Sequence, residues 1–237
     1  MFFGRKILRF VVWLLGCFLL SSVGLTLLYK WMPVPVTPLM LIRCAQQWQR
    51  GESLKLSHTW VRLADMSPHL SRAVMASEDQ RFLMHHGFDF HEISNAVKER
   101  VSGKRVRGGS TISQQTAKNV FLWPTSSWTR KGFEVFFTCL IELCWGKERI
   151  MEVYLNSIEM GNGIYGAEAV ARHHFATTAA CLTRSQCALI AATLPNPLKY
   201  DSSAPSKYVR RRSLTILSQM KNMKSLPAAS GSSQKND

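Results

Sequence analysis

The sequence is poor in acid. Its 237 residues hold 15 Asp and Glu against 30 Lys and Arg, a formal charge of +15, and only 19% of residues are charged at all. The excess is therefore a bias of sign rather than high polarity. With 46% hydrophobic and 10% aromatic residues the chain has the material for a packed core, which excludes disorder as a global description. It has no CxxC pair and no Cys/His spacing of a zinc site. Cys17 stands apart from Cys44, Cys139, Cys144, Cys181 and Cys187, an odd number that favours free thiols, with a Cys181 to Cys187 bridge as the alternative. Internal repeats are absent, and so is any sustained two-residue alternation, so nothing predicts an extended sheet. The charge itself calls for an anionic partner: nucleic acid, an anionic membrane surface, or a phosphate-bearing substrate.

What the chain does have is one long apolar run. Residues 10–28, FVVWLLGCFLLSSVGLTLL, carry no charge, and 19 residues at about 1.5 Å each just cross a hydrocarbon layer of roughly 30 Å. A cleaved signal peptide has a shorter apolar region, about 7–15 residues, that ends at a small-x-small site. Here Ser22-Val23-Gly24 lies inside the run, which predicts an uncleaved anchor over 10–29. Arg5, Lys6 and Arg9 precede it, and Tyr29 and Trp31 sit at its far edge. The positive-inside rule then places residues 1–9 in the cytoplasm and the remainder outside. Nucleic acid drops away as a partner.

Beyond the anchor, Pro33, Pro35 and Pro38 make a stiff exit, and residues 225–237 form a polar tail, expected to be flexible. Residues 40–224 are one domain of ordinary size. Its patterning is helical nearly throughout. Ser67-Pro68 predicts a helix start before Leu70, Val74 and Met75, and Asp89 with Glu92 resembles a capping box ahead of Ile93, Val97 and Val101, with Gly103 as a stop. Ser127 caps an apolar helix through Phe133, Phe136, Phe137, Leu140 and Cys144 that Gly146 ends, and Thr183 with Gln186 caps another. The expected fold class is all-α, with a small irregular lobe near the membrane.

Three stretches could do chemistry. In the run from Glu78 to Asp89, Glu78 and Phe82 are four apart, a spacing that shares a helix face and would put an aromatic beside a general base. His85, His86 and His91 match no specific metal site and suit capping or packing. In the second stretch, Gly108-Gly109-Ser110-Thr111 leads into a helix whose free N–H groups suit an anion, with Ser110, Gln114 and Lys118 on one face and Thr111 and Gln115 close by. Eight basic residues, Lys98, Arg100, Lys104, Arg105, Arg107, Lys118, Arg130 and Lys131, concentrate here against Glu99 alone up to residue 131. The third element is Glu134, a lone acid on an apolar helix that needs a partner, which Arg130 one turn earlier supplies. Glu159 and Glu168 flank a glycine-rich turn over 161–166 and could line the same cleft, although packing is their expected job. Two acids with a basic cradle on an exported helical domain suggest sugar chemistry with a phosphate leaving group.

Together these motifs resemble the peptidoglycan glycosyltransferases, the family that includes the N-terminal module of class A penicillin-binding proteins. The resemblance spans about residues 60–200: the ED-x-x-F-x-x-H-x-G-x-D run from Glu78, GGSTISQQ from Gly108, RK-x-x-E from Arg130, Lys147-Glu148-Arg149-Ile150, Tyr154-Leu155-Asn156, Gly161 to Gly166, and Leu194-Pro195-Asn196-Pro197. It implies a lysozyme-like glycosyltransferase domain over 40–224 and a monofunctional enzyme of the bacterial inner membrane that polymerises lipid II. Glu78 would be the general base and Glu134 the second catalytic glutamate, orienting cations or a divalent metal such as Mg²⁺ or Mn²⁺. Substrate contacts would come from Asp79, Phe82, Ser110, Thr111, Gln114, Gln115, Lys118 and Arg130. Implied partners are lipid II, the growing lipid-linked glycan, the membrane, and cell-division or elongation proteins. The chain departs from the pattern at Ser126, where an arginine is frequent, at Thr116, where an apolar residue is common, and at His174, where a tyrosine is usual. A lysozyme-like muramidase or lytic transglycosylase, or an inactive membrane-tethered scaffold, are the rival readings.

Overall fold

The computed structural model describes residues 2–101 and 109–226. Gly103, Lys104, Arg105, Arg107 and Gly108, the side chains of Val97, Arg100 and Val101, and the tail from 227 lie outside the described residues. The apolar run belongs to one long helix, α1 (Phe2–Trp31), which extends beyond the predicted span at both ends. After the proline-rich exit comes α2 (Pro38–Gln49), whose first turn is preset by Pro38 and capped by Thr37, the hydroxyl accepting from the Met40 amide at 3.4 Å.

The domain proper is helical, as its periodicity predicts: α3 (Pro68–Glu78), α4 (Phe90–Val101), α5 (Ile112–Phe121), α6 (Trp128–Cys144), α7 (Lys147–Ser157), α8 (Ala167–Phe175), α9 (Arg184–Thr193) and α10 (Lys207–Gln219). The starts read from sequence fall where expected. Ser127 accepts from the Arg130 amide, and Thr183 and Gln186 form a reciprocal capping box. Asp89 caps α4 by accepting from the His91 and Glu92 amides at 3.0 and 3.1 Å. Ser67 precedes α3 without a side-chain cap, so Pro68 alone sets that start.

Two groups of helices meet at the site. α3 and α10 pack on α9, and α6 and α7 pack on α5. Fully buried Leu70, Phe82, Ile112, Ile150, Tyr154 and Ile190 join them in one core. The glycine-rich turn proves to be part of a small sheet, with β1 (Ser57–His58) parallel to β3 (Ile164–Tyr165) and β3 antiparallel to β2 (Glu159–Gly161). Strands of two or three residues are too short to show alternation, which is why the sequence carried no sign of them. Gly163 (φ +73°) makes the close approach possible: a Cβ there would lie 2.5 Å from the Lys55 carbonyl oxygen.

The domain is clasped to the membrane helix. Phe18 packs among Phe133, Phe136 and Phe137 at centroid distances of 5.5, 5.6 and 6.4 Å. Trp145 Nε1 donates to the Thr26 carbonyl at 2.7 Å, and Arg149 donates from Nη2 to the Tyr29 carbonyl at 2.8 Å. From Phe18 to Thr26 and from Phe137 to Trp145 both chains advance eight residues, so α6 runs alongside α1 in the same direction. All six cysteines are free thiols, with no Cys181 to Cys187 bridge, and burial pushes the Cys187 thiol up to about 12.

Candidate active site

α3 ends at Glu78 because Asp79 leaves helical geometry (φ −161°, ψ 81°). The chain then turns, so Glu78 and Phe82 do not share a helix face as their spacing predicted. Phe82 is wholly buried in the core, edge-on to His85 and beneath Lys147 Nζ at 4.5 Å.

Glu78 keeps a partly open carboxylate within a network of donors. Ser77 Oγ donates to its Oε1 at 2.9 Å, Gln115 Nε2 to its Oε2 at 3.3 Å, and Arg212 Nη2 stands 3.7 Å from Oε1. The Gln115 amide is itself oriented, because Tyr154 donates its hydroxyl to Gln115 Oε1 at 3.2 Å. Burial pushes the Tyr154 phenol well above its ordinary range, helped by the Glu78 and Asp79 carboxylates, so it stays a donor. Tyr154 belongs to the Tyr154-Leu155-Asn156 motif, but no sequence pattern sets it or Arg212 beside Glu78. Their part was hidden because α7 and α10 are distant in the chain and meet Glu78 only through packing.

The start of α5 differs from the expected anion cradle. The Ile112 amide is taken by Asp79 Oδ2 at 3.0 Å, the Thr111 amide by Gln114 Oε1 at 3.0 Å, and the Gln114 amide by Thr111 Oγ1 at 3.2 Å. Thr111 Oγ1 also donates to the Gly87 carbonyl at 2.6 Å. Asp79 is thus the anion at this helix start, and Asp79, Thr111 and Gln114 are buried braces. Ser110 is exposed, and its carbonyl accepts from Gln115 Nε2 at 3.4 Å. Thr116 is buried with its hydroxyl donating to the Ile112 carbonyl at 2.8 Å, so this departure is satisfied within the helix.

The cations gather one turn along α5 instead. Lys118 is half-buried, and burial pulls its ammonium below the usual lysine range, with Glu134 opposing and Arg130 and Lys131 adding to the fall. Glu134, 3% exposed, accepts from Arg130 Nη1 at 2.6 Å and from Lys131 Nζ. The expected pairing of Glu134 with Arg130 is present. Lys118 also faces a cavity of about 180 Å³ with Arg43, Asn119, Trp123, Pro124 and Glu159. Arg43 reaches it from α2, held by Glu159 through two bonds of 3.1 and 3.2 Å. Arg43 carries no motif signal and was missed; Glu159 does line the cleft. Glu168 is structural, accepting from Arg172 and the Ala179 amide. His174 is likewise used locally, with Nδ1 2.7 Å from Ser202 Oγ.

For a metal, Asp79, His85 and Asp89 offer three buried ligand atoms within 4.8 Å of one another. Asp79 accepts from His85 Nε2 and the Ile112 amide, while Asp89 caps α4 and pairs with Arg81 at 3.2 Å. This is a hydrogen-bonded brace that a metal would have to break. At Glu134 a divalent ion would compete with Arg130 and Lys131 for the carboxylate oxygens.

A family model described as transglycosylase matches residues 46–221. A biosynthetic peptidoglycan transglycosylase of Bacteroides thetaiotaomicron is 59% identical over 223 residues, covering 94% of this chain and 90% of that protein. Proteins of the same description from Caulobacter vibrioides and Pseudomonas putida are 51% and 47% identical, covering 90% and 92% of this chain and 91% of each relative. The lysozyme-like helical domain, its ordered motifs and these relatives show that the chain belongs to the transglycosylase family, and that it is a glycosyltransferase.

Proposed function

We propose that the protein polymerises lipid II into linear glycan strands for the cell wall, with release of undecaprenyl pyrophosphate. One observation carries this reading. Helix α5 joins a hydrogen-bonded carboxylate to a group of cations, because Gln115 contacts Glu78 and Lys118, three residues later, faces Glu134 and its basic partners.

Glu78 takes the proton from the 4-hydroxyl of the acceptor sugar. That oxygen forms a bond to the anomeric carbon of the donor as the bond from carbon to pyrophosphate oxygen breaks. The electron pair leaves on the pyrophosphate, and a single displacement inverts the anomeric centre. The leaving group needs no proton, so the site must stabilise accumulating negative charge. Lys118, Arg130 and Arg43 are the cations suited to that work, with Glu134 holding Arg130 and Lys131 in place. Tyr154 and Gln115 aim a donor at Glu78 and so orient its free lone pairs. A muramidase that cuts finished glycan has no use for such a cluster of cations.

Anchoring fits the substrate. The span of α1 holds the domain at the lipid surface, and Arg5, Lys6 and Arg9 favour a cytoplasmic N-terminus with the domain on the periplasmic face. The test is purified full-length protein with lipid II. Chains are expected to grow, and Glu78→Gln is expected to lower the rate by roughly a hundredfold to ten-thousandfold while circular dichroism and melting stay close to wild type. Wild-type turnover by that variant, or shortening of preformed glycan by the wild type, overturns the reading.

A further inference from the structure

The cation cavity at Lys118 is lined by an acid, Glu159, whose charge by itself weakens the cavity for an anion. Its surroundings show what the carboxylate does instead. Glu159 of β2 lies opposite Tyr165 of β3, and the fully buried Tyr165 donates its hydroxyl to Glu159 Oε1 at 3.3 Å. Burial pushes the Tyr165 phenol up, with the Glu159 carboxylate adding to the rise, so the hydroxyl keeps its proton. The carboxylate is thus fixed from behind. Its two oxygens accept from Arg43 Nε and Nη2 at 3.1 and 3.2 Å, while Gln46 Oε1 accepts from Arg43 Nη1 at 3.2 Å. A guanidinium has five N–H groups, so two remain without a partner among the described residues, on a side chain that faces the cavity.

The loop beside them adds no charge. Residues 122–127, Leu-Trp-Pro-Thr-Ser-Ser, contribute Trp123 and Pro124 to the cavity and hold no ionisable side chain. Besides Lys118 of α5, the cation of this cavity comes from α2, which begins at Pro38 after α1 ends at Trp31. An arginine free in solvent loses its rotamer freedom when it meets an anion, and one already held does not. Glu159 therefore gives up some attraction and gains a fixed geometry.

We infer that Glu159, backed by Tyr165, is a positioning residue: it holds Arg43 so that the unpartnered N–H groups meet one phosphate of the leaving pyrophosphate while Lys118 meets the other. Arg43 is then the group that distinguishes a pyrophosphate from a monophosphate. The inference rests on the proposed function, which supplies the lipid-linked pyrophosphate. It adds that α2, the first helix beyond the anchor, is part of the donor site.

Full-length protein in detergent is titrated with farnesyl pyrophosphate and farnesyl monophosphate, which differ by one phosphate. The wild type is expected to bind the pyrophosphate about tenfold more tightly. Arg43→Lys keeps the charge and Glu159→Gln removes a negative one, so a site acting by net charge alone keeps its preference in the first and gains affinity in the second. Both variants are expected instead to lose the preference, with monophosphate binding unchanged. Their kcat/KM for lipid II should fall about tenfold, mostly in kcat, because the leaving group gains charge only as the bond breaks. Exchanging the pair, Arg43→Glu with Glu159→Arg, restores an ion pair but puts the carboxylate on α2. Its melting temperature is expected to recover and its activity is not; recovery of both would make the pair merely structural. Retained preference in Arg43→Lys, or tighter pyrophosphate binding by Glu159→Gln, overturns the inference whether or not the exchanged pair folds. The two readings fail separately: a wild type that prefers the pyrophosphate but makes no glycan refutes the function alone, and one that makes glycan while binding both ligands equally refutes this inference alone.

Discussion

Lys118 and Lys98 belong to the same basic cluster in sequence, yet they meet different surroundings. Lys98 is exposed on α4, whereas Lys118 is half-buried beside Glu134, Arg130 and Lys131. An ammonium taken partly out of water interacts more strongly with an incoming anion than one in bulk solvent. Lys118→Ala is therefore expected to lower kcat/KM for lipid II by about a hundredfold, on the order of 2.7 kcal/mol, and Lys98→Ala to change it little. Equal effects would mean that only diffuse charge matters. The lowered ionisation of Lys118 also has a sign in pH. Affinity for a pyrophosphate is full while Lys118 is protonated and falls as pH rises through its depressed pKa, below the ordinary lysine value of 10.5. KM measured across that alkaline range should rise in the wild type, and Lys118→Arg should push the rise to higher pH because a guanidinium does not deprotonate there.

Asp79 shows how a motif residue can act at the level of an element. Its carboxylate accepts from the first amide of α5 and from His85, so it fixes where α5 begins relative to the end of α3. Glu78 and Gln115 meet only because that junction is held. Asp79→Ala leaves a buried amide and a buried imidazole without their acceptor, at about 1–3 kcal/mol for each orphaned group. Thermal unfolding in detergent is expected to show a fall of about 2–4 °C per kcal/mol, together with loss of activity. A variant as stable as the wild type would assign Asp79 to the substrate instead. The same junction explains what could be read from sequence and what could not. Caps at Asp89, Ser127 and Thr183 are local hydrogen bonds between residues three apart, and their patterns were visible. At the start of α5 the local pattern left open the Ile112 amide, which Asp79, more than thirty positions away, takes up.

For the whole molecule, the anchor and the domain act as one body through Phe18, Thr26 and Tyr29. The charge pattern of α1 predicts that protease added to spheroplasts from outside digests the domain and spares the N-terminus; digestion that requires permeabilised cells would reverse the topology. Helix content, the membrane span and the two glutamates were legible in the sequence, because helix periodicity, a long uncharged run and ordered motifs are properties of neighbours along the chain. The sequence by itself thus determined the class of the fold and one apolar helix long enough to cross a membrane, and it named the two glutamates on which the proposed chemistry rests. Only the tertiary structure decided that Phe82 lies in the core, that Asp79, Thr111 and Gln114 brace the start of α5, and that Arg43, Tyr154 and Arg212 stand at the candidate site. Those outcomes depend on which distant polar groups become partners once water is excluded, and no local pattern encodes that pairing.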